Sequence, residues 1–156
     1  MILSERDLAR WGECIGMAVE VPVFIGLRGA LGAGKSVLAR AVARGAGAKG
    51  PMPSPTFNLV FRYPAARGIQ VVHMDLYRVR DPAELWELGW EELGAEAELV
   101  LVEWPERAGD LLPRDRWDVD LTTPAGMLDQ REVQVARVGG PSHLPGFPMA
   151  LTGSRE

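Results

Sequence analysis

The chain has 156 residues, 47% of them hydrophobic, and predicts a single domain over residues 1–138 followed by a Gly/Pro-rich tail over 139–156. The net charge of −4 argues against a protein that coats DNA or RNA with clustered cations, so we expect any contact with tRNA to be indirect. Cys14 is the only cysteine, which excludes an internal disulfide and a zinc knuckle. Because the sequence also lacks an apolar run long enough to span a bilayer, we expect a cytoplasmic protein without membrane contact.

The first predicted elements are an amphipathic helix and a buried strand. Residues 3–20 have helical periodicity, with Ser4 as the N-cap and Leu8 and Trp11 on the apolar stripe. Residues 23–27 form a short apolar run that is typical of a buried parallel strand. We therefore expect the helix to pack on a sheet that contains this strand.

The residues after this strand match the phosphate-loop pattern G-x-x-x-x-G-K-[ST] completely. Residues 29–36 read Gly-Ala-Leu-Gly-Ala-Gly-Lys-Ser. Glycines let successive backbone N–H groups turn toward phosphate oxygens, the lysine reaches the outer phosphates, and the hydroxyl binds Mg²⁺. A helix that begins beside the lysine and ends near residue 45 directs its positive dipole end at the same anion. The predicted nucleotide-binding residues are Gly29, Leu31, Gly32, Ala33, Gly34, Lys35, Ser36 and Val37.

The rest of the chain predicts strands joined by turn-rich connections. Residues 45–56 predict a long irregular loop, residues 57–63 and 69–74 a hairpin around Gly68, and residues 81–89 a short helix capped by Asp81. Residues 98–104 predict a second buried strand, and residues 117–121 and 132–138 an antiparallel edge pair. We expect a loosely ordered tail from Gly139 onward.

These elements predict an α/β fold. It is a three-layer P-loop NTPase domain whose mixed sheet is parallel at its centre and antiparallel toward its edges. In such a fold, ligands bind beyond the carboxyl ends of the central strands.

Two carboxylates follow predicted strands at the point where a phosphate-loop enzyme needs one to position Mg²⁺ and its waters. Asp75 follows the strand at 71–74, and Glu103 follows the strand at 99–102. The spacing does not decide which carboxylate addresses the metal and which handles water or another group. Without a phosphate loop, each would equally be a capping or salt-bridged residue at a strand end.

Other polar residues have both a functional and a structural interpretation. Ser54 and Thr56 follow the phosphate-loop helix, where a hydroxyl can contact the outer phosphate or the attacking water, or can belong to an ordinary proline turn. His73 lies in an apolar strand, which is more typical of a core histidine than of a catalytic one, and Tyr77 is equally ambiguous. Arg78 either faces phosphate or tRNA, or pairs with a nearby glutamate.

A series of motifs follows the phosphate loop at short spacings. They are S-P-T-F at 54–57, H-x-D-L-Y-R at 73–78, D-P-x-E-L-x-x-L-G at 81–89 and V-E-W-P at 102–105. In this order they resemble the bacterial tRNA threonylcarbamoyladenosine biosynthesis ATPase family, called TsaE or YjeE, over residues 3–138. The chain departs from the family pattern at Ala30, where aspartate is usual, and at Ser36, where threonine is more common.

The resemblance implies an ATP-hydrolysing, Mg²⁺-dependent component of the machinery that modifies the adenosine beside the anticodon. It implies docking on a TsaD-type transferase subunit and its TsaB-type dimerising partner, which together transfer the threonylcarbamoyl group. By position, Lys35 would bind phosphates, and Ser36 and Glu103 would hold Mg²⁺. The implied catalytic residues are Lys35, Thr56, Asp75 and Glu103, and the implied switch or partner-facing residues are Ser54, Thr56, Tyr77, Arg78 and Trp104.

Other functions remain open at this point. A small-molecule kinase needs arginines over the transferred phosphoryl group, for which Arg107, Arg114 and Arg116 are candidates. A nucleotide-binding scaffold would hold ATP with negligible hydrolysis. A GTPase is disfavoured because the sequence has no N-K-x-D guanine-reading motif.

Overall fold

The computed structural model describes residues 1–52 and 59–145, and within these ranges seven strands form one mixed sheet in the order β1-β7-β6-β2-β5-β4-β3. The adjacent pairs among β6, β2, β5 and β4 are parallel, whereas β1–β7, β7–β6 and β4–β3 are antiparallel. The predicted α/β class and centrally parallel sheet are therefore confirmed. The elements are β1 (Ile2–Ser4), α1 (Glu5–Ala18), β2 (Val23–Arg28), α2 (Lys35–Gly45), β3 (Val60–Pro64), β4 (Gln70–Asp75), β5 (Glu98–Glu103), β6 (Arg116–Thr122) and β7 (Gln130–Val138).

Each face of the sheet has its own apolar core, because successive strand side chains point to opposite faces. On one face α1 and α2 pack over Ile25 and its neighbours. On the other face, Phe24 packs with residues of the 3₁₀ helices Pro82–Leu88, Trp90–Glu92 and Pro105–Leu111. The three layers are thus α-helices, sheet and 3₁₀ helices.

The two α-helices approach each other through glycines. A Cβ atom on Gly16 of α1 would lie 2.1 Å from the Val42 carbonyl oxygen, and one on Gly45 of α2 would lie 2.1 Å from the Glu13 carbonyl oxygen. Any larger side chain at these positions would push the helices apart. This close packing fixes α2, and with it the end of the phosphate loop.

Some predicted elements differ in kind or in bounds. The N-terminal helix begins at residue 5, since residues 2–4 pair with β7, although Ser4 caps the helix by accepting a 3.1 Å bond from the Asp7 N–H. The predicted helix at 81–89 is a 3₁₀ helix, capped by Asp81 and ended by Gly89 with a φ of 76°. The first residues of the predicted strand at 57–63 lie outside the described part of the chain.

The expectation of a loosely ordered tail is wrong for residues 141–145. Leu144 is buried in the core beneath the α-helices. The Trp117 indole N–H donates to the Ser142 carbonyl oxygen at 2.7 Å.

Within the described ranges, no helix is long and apolar enough to cross a membrane.

Candidate functional site

A cavity of about 400 Å³ lies at the carboxyl ends of the central strands, beside the phosphate loop. Residues of α1, the loop, α2, the ends of β4 and β5, and β7 contribute to its wall. This is the position at which open α/β sheets bind ligands. The lining residues are Glu5, Leu8, Leu31, Gly32, Gly34, Lys35, Ser36, Val37, Leu59, Asp75, Tyr77, Arg78, Glu103, Trp104 and Arg131.

The loop needs its glycines for backbone conformation and for space. Gly32 and Gly34 have φ values of 79° and 104°, which side-chain-bearing residues rarely adopt. Gly29 lies against β6, where a Cβ atom would come within 2.5 Å of the Leu121 carbonyl oxygen. Gly34 precedes α2 and provides no side-chain cap, so the positive end of the α2 dipole lies at the loop, where an anion is favoured.

Lys35 lies folded into the loop. Its ammonium donates to the carbonyl oxygens of Gly29 at 2.5 Å and Ala30 at 2.8 Å, and lies 4.4 Å from the centroid of the Trp104 ring. Burial lowers the pKa of Lys35, while the nearby carboxylates of Glu103 and Asp75 oppose this effect. A bound phosphate offers this ammonium a stronger, charged acceptor than the two carbonyls.

The main chain closes the loop at the position that departs from the family pattern. The Ala33 N–H donates to the Ala30 carbonyl oxygen at 3.1 Å, and Lys35 bonds to the same oxygen. The turn at Ala30 therefore forms without a side-chain acceptor.

A chain of hydrogen bonds links the loop to the sheet through Glu103. The Ser36 hydroxyl donates to Glu103 Oε1 at 2.8 Å, and His73 Nε2 lies 2.7 Å from Glu103 Oε2. Because a carboxylate accepts, His73 carries a hydrogen at Nε2. His73 and Glu103 are only 2% and 3% exposed, so this chain fixes the orientation of the carboxylate.

Asp75 occupies a different position from Glu103. The two carboxylates are register partners at the ends of the parallel strands β4 and β5. Asp75 Oδ1 accepts from the Tyr77 N–H at 2.9 Å. Burial raises the pKa of Asp75 and the charge of Glu103 adds to the increase, while the Tyr77 bond opposes it. Among the described contacts, Glu103 is the carboxylate that bonds the loop serine, whereas Asp75 faces the cavity beside it.

Trp104 has an unusual backbone conformation for a bulky residue. Its φ of 57° places it in the left-handed region, and Pro105 follows it. The Tyr77 ring lies 5.0 Å from the Trp104 ring, so the two aromatic residues and Lys35 form one contact group at the cavity wall. Such strained residues are found preferentially at functional sites.

The structure gathers most of the predicted site residues around the cavity. Gly29 and Ala33 are not part of its lining, and their side of the loop faces the protein. Ser54 and Thr56 lie outside the described residues. The roles assigned to all of the predicted site residues stay predictions.

The arginines suggested for a kinase do not lie at this cavity. Arg107, Arg114 and Arg116 are absent from its lining. Arg116, at the start of β6, bonds Asp118 at 3.1 Å and the Pro113 carbonyl oxygen at 2.9 Å. Because β6 runs parallel to β2, the start of β6 lies at the end of the sheet opposite to the phosphate loop.

Besides Leu59, which precedes β3, sequence reasoning missed two contributions to the site. Glu5 and Leu8 bring α1 into the lining, and Arg131 brings β7. The helical stripe already indicated that Leu8 is buried, but nothing in the local pattern of β7 singles out Arg131 as a neighbour of the loop.

The family model described as Threonylcarbamoyl adenosine biosynthesis protein TsaE matches residues 2–133. The chain belongs to this family. A TsaE protein of Treponema pallidum (strain Nichols) is 32% identical over 133 residues, covering 85% of this chain and 96% of the relative. A TsaE protein of Haemophilus influenzae is 39% identical over 117 residues, covering 72% and 73%. Both relatives are named tRNA threonylcarbamoyladenosine biosynthesis protein TsaE.

The fold is also similar to a solved structure. The crystal structure of Bacillus subtilis YdiB aligns with a TM-score of 0.64 at 24% identity, covering 89% of this chain and 87% of that one. This likeness confirms the fold. The family model and the relatives confirm the TsaE resemblance and a role in tRNA threonylcarbamoyladenosine biosynthesis.

Proposed function

We propose that this TsaE-family protein is a Mg²⁺-dependent ATPase that cleaves the β–γ phosphoanhydride of ATP to give ADP and phosphate. The observation that carries the proposal is the 2.8 Å bond between the loop hydroxyl of Ser36 and the buried carboxylate of Glu103, beside Lys35. A hydroxyl and a carboxylate oxygen at a phosphate loop are the ligand types that hold Mg²⁺ in nucleotide hydrolases.

The donor set fits Mg²⁺ rather than a metal held by the protein alone. In residues 1–52 and 59–145, no group of three or more His, Cys, Asp or Glu side chains is placed to hold a metal ion. Mg²⁺ usually takes one or two protein ligands and completes its shell with phosphate oxygens and water. Ser36 and Glu103 would hold it, with His73 orienting Glu103. When bound, the ion would neutralise part of the negative charge of the phosphates.

The remaining roles follow from position. Lys35 and the amino end of α2 bind the phosphates, since they are the buried cation and the positive end of the helix dipole at the loop. Asp75, a carboxylate whose raised pKa favours proton uptake, orients the attacking water and accepts its proton. Trp104 and Tyr77 shield the outer phosphate from solvent. The base and sugar lie at the α1 side of the cavity, beside Glu5.

We further propose that hydrolysis acts on a partner assembly in the cytoplasm. The partners are a TsaD-type transferase subunit and a TsaB-type dimerising subunit, and tRNA is reached through them. Family membership supports this assignment. The acidic balance of the chain supports indirect contact with tRNA, no DNA binding and no membrane partner.

Phosphate release tests the proposal when it is measured for the full chain alone, with the two partner proteins, and with tRNA added. We expect release that requires Mg²⁺ and increases with the partners. No release in any mixture would contradict the ATPase assignment. Transfer of labelled γ-phosphate to a metabolite would indicate a kinase. A scaffold would be indicated if Glu103→Gln bound ATP and supported tRNA modification without hydrolysis.

A further inference from the structure

Arg131, near the start of β7, reaches the phosphate loop from 98 positions away in the sequence. Its Nε donates to the Ala33 carbonyl oxygen at 2.9 Å and its Nη2 to the Gly32 carbonyl oxygen at 3.2 Å. Its Nη1 donates to the carbonyl oxygen of Leu128, in the connection between β6 and β7, at 2.8 Å and to that of Gln130, the first residue of β7, at 2.7 Å. One guanidinium thus ties the loop to the end of the sheet.

We propose that Arg131 is a positioning residue that holds the phosphate loop in its anion-binding shape by bonding the carbonyl groups of the loop. The proposal rests on the nucleotide-binding function proposed above. It assigns Arg131 to the loop carbonyls rather than to the phosphates themselves.

The direction of the loop peptides explains how the hydrogen bonds from Arg131 shape the loop. In a trans peptide the C=O and the following N–H point in opposite directions. Holding the Ala33 carbonyl toward Arg131 therefore turns the Gly34 N–H away from Arg131, and Gly34 is part of the cavity lining. Holding the Gly32 carbonyl likewise fixes the Ala33 N–H, which closes the turn on Ala30.

The contacts of Arg131 and Lys35 divide the loop between them. Lys35 holds the carbonyls of Gly29 and Ala30 with two of the three N–H donors of its ammonium. Arg131 bonds the carbonyl oxygens of Gly32 and Ala33 and can keep these hydrogen bonds when nucleotide binds. Its donors make four bonds to main-chain carbonyls, out of the five N–H groups of a guanidinium, so its fork is used for positioning rather than as a free arginine finger.

Two substitutions separate the fork from the charge. Arg131→Met removes the donors but keeps an apolar stem, and Arg131→Lys keeps the charge but loses the fork. Arg137→Met is the matched control because Arg137 lies on the same strand, is exposed and is absent from the cavity lining. Calorimetry with MgADP gives the dissociation constant of each full-length variant, and thermal unfolding shows that each is folded.

We expect Arg131→Met to weaken MgADP binding by about tenfold or more, because bonds from a charged donor to the loop are lost. Arg131→Lys should restore less than half of the change in the logarithm of the dissociation constant. Arg137→Met should bind MgADP within about twofold of wild type. Full recovery by Arg131→Lys would overturn the proposal, since charge alone would then suffice. Wild-type affinity in Arg131→Met would overturn it as well.

Hydrogen exchange provides a second readout that does not need nucleotide. In Arg131→Lys the amides of residues 32–34 should exchange faster than in wild type. Exchange at the wild-type rate would contradict a positioning role of Arg131. If wild type bound neither ADP nor ATP, the proposed function would fail, but this measurement would still decide whether Arg131 orders the loop. If Arg131→Met does not fold, Arg131→Lys still provides both readouts.

Discussion

Replacing Glu103 with glutamine separates metal binding from folding, because the two side chains have nearly the same shape. The amide oxygen can accept from Ser36 while the amide N–H₂ faces His73, whose ring nitrogen can accept in its other neutral tautomer. At most about one hydrogen bond is weakened, which costs about 1 kcal/mol of stability. The loss of a buried charge offsets part of this cost.

The effect on hydrolysis should be larger. The substitution removes the charged ligand that would hold Mg²⁺, and a metal contributes several kcal/mol of charge stabilisation in the transition state. A loss of about 3–4 kcal/mol corresponds to a turnover about 10²–10³-fold slower. Glu103→Gln should therefore remain folded and almost inactive.

Glu98→Gln is the matched control. Glu98 is also a buried glutamate of β5, but it lies at the opposite end of the strand, where it accepts from the Gly94 N–H at 2.9 Å and pairs with Arg62 at the same distance. Steady-state phosphate release, with the partner proteins present, should be within about twofold of wild type in Glu98→Gln. Wild-type turnover in Glu103→Gln would refute the reasoning, and so would an equal loss in both variants.

Three further predictions follow from contacts around the site. Burial raises the pKa of Asp75, so the folded state binds this proton more tightly than the unfolded state and stability falls as pH rises above the ordinary value of 3.8. Asp75→Asn should therefore melt at a higher temperature than wild type at pH 7, should lose this difference at about pH 3 and should hydrolyse ATP more slowly. Equal melting temperatures of the two proteins at pH 7, measured by calorimetry, would contradict the expected difference in stability. Trp104 contacts Lys35, so ADP should change the tryptophan fluorescence of wild type and of Trp86→Phe, which lacks the 47% exposed Trp86, but not that of Trp104→Phe; an ADP-induced change of wild-type size in Trp104→Phe would contradict this. Gly16→Ala should lower the free energy of unfolding in urea by about 3 kcal/mol, because its methyl group collides with α2, and a neutral result would mean that the helices can separate easily.

The sequence predicted the parts of the fold that depend on local spacing. The phosphate loop, the buried strands β2 and β5 and the antiparallel pair at the edge follow from patterns within a few residues of one another. The 3₁₀ geometry of Pro82–Leu88 could not be distinguished from a helix, because its cap and its final glycine are those of an α-helix.

The parts that remained unpredicted depend on register and on distant contacts. The choice of Glu103 over Asp75 as the partner of Ser36 depends on which strand lies beside β2, and the sheet order places β5 there. His73 has the alternation of a core residue, so its bond to Glu103 becomes evident only from the parallel pairing of β4 and β5. Arg131 leaves no local signal, since its partners lie in a loop far away in sequence.

The central claim is that the loop binds a nucleotide polyphosphate through its main-chain amides, Lys35 and Ser36. Isothermal titration of the full-length protein with MgADP, in parallel with Lys35→Met, tests it most directly. We expect one-site binding by wild type and an affinity at least about 100-fold weaker in Lys35→Met, because the buried ammonium is replaced by an apolar group. No heat from wild type with either ADP or ATP, or equal affinity in the two proteins, would contradict the claim.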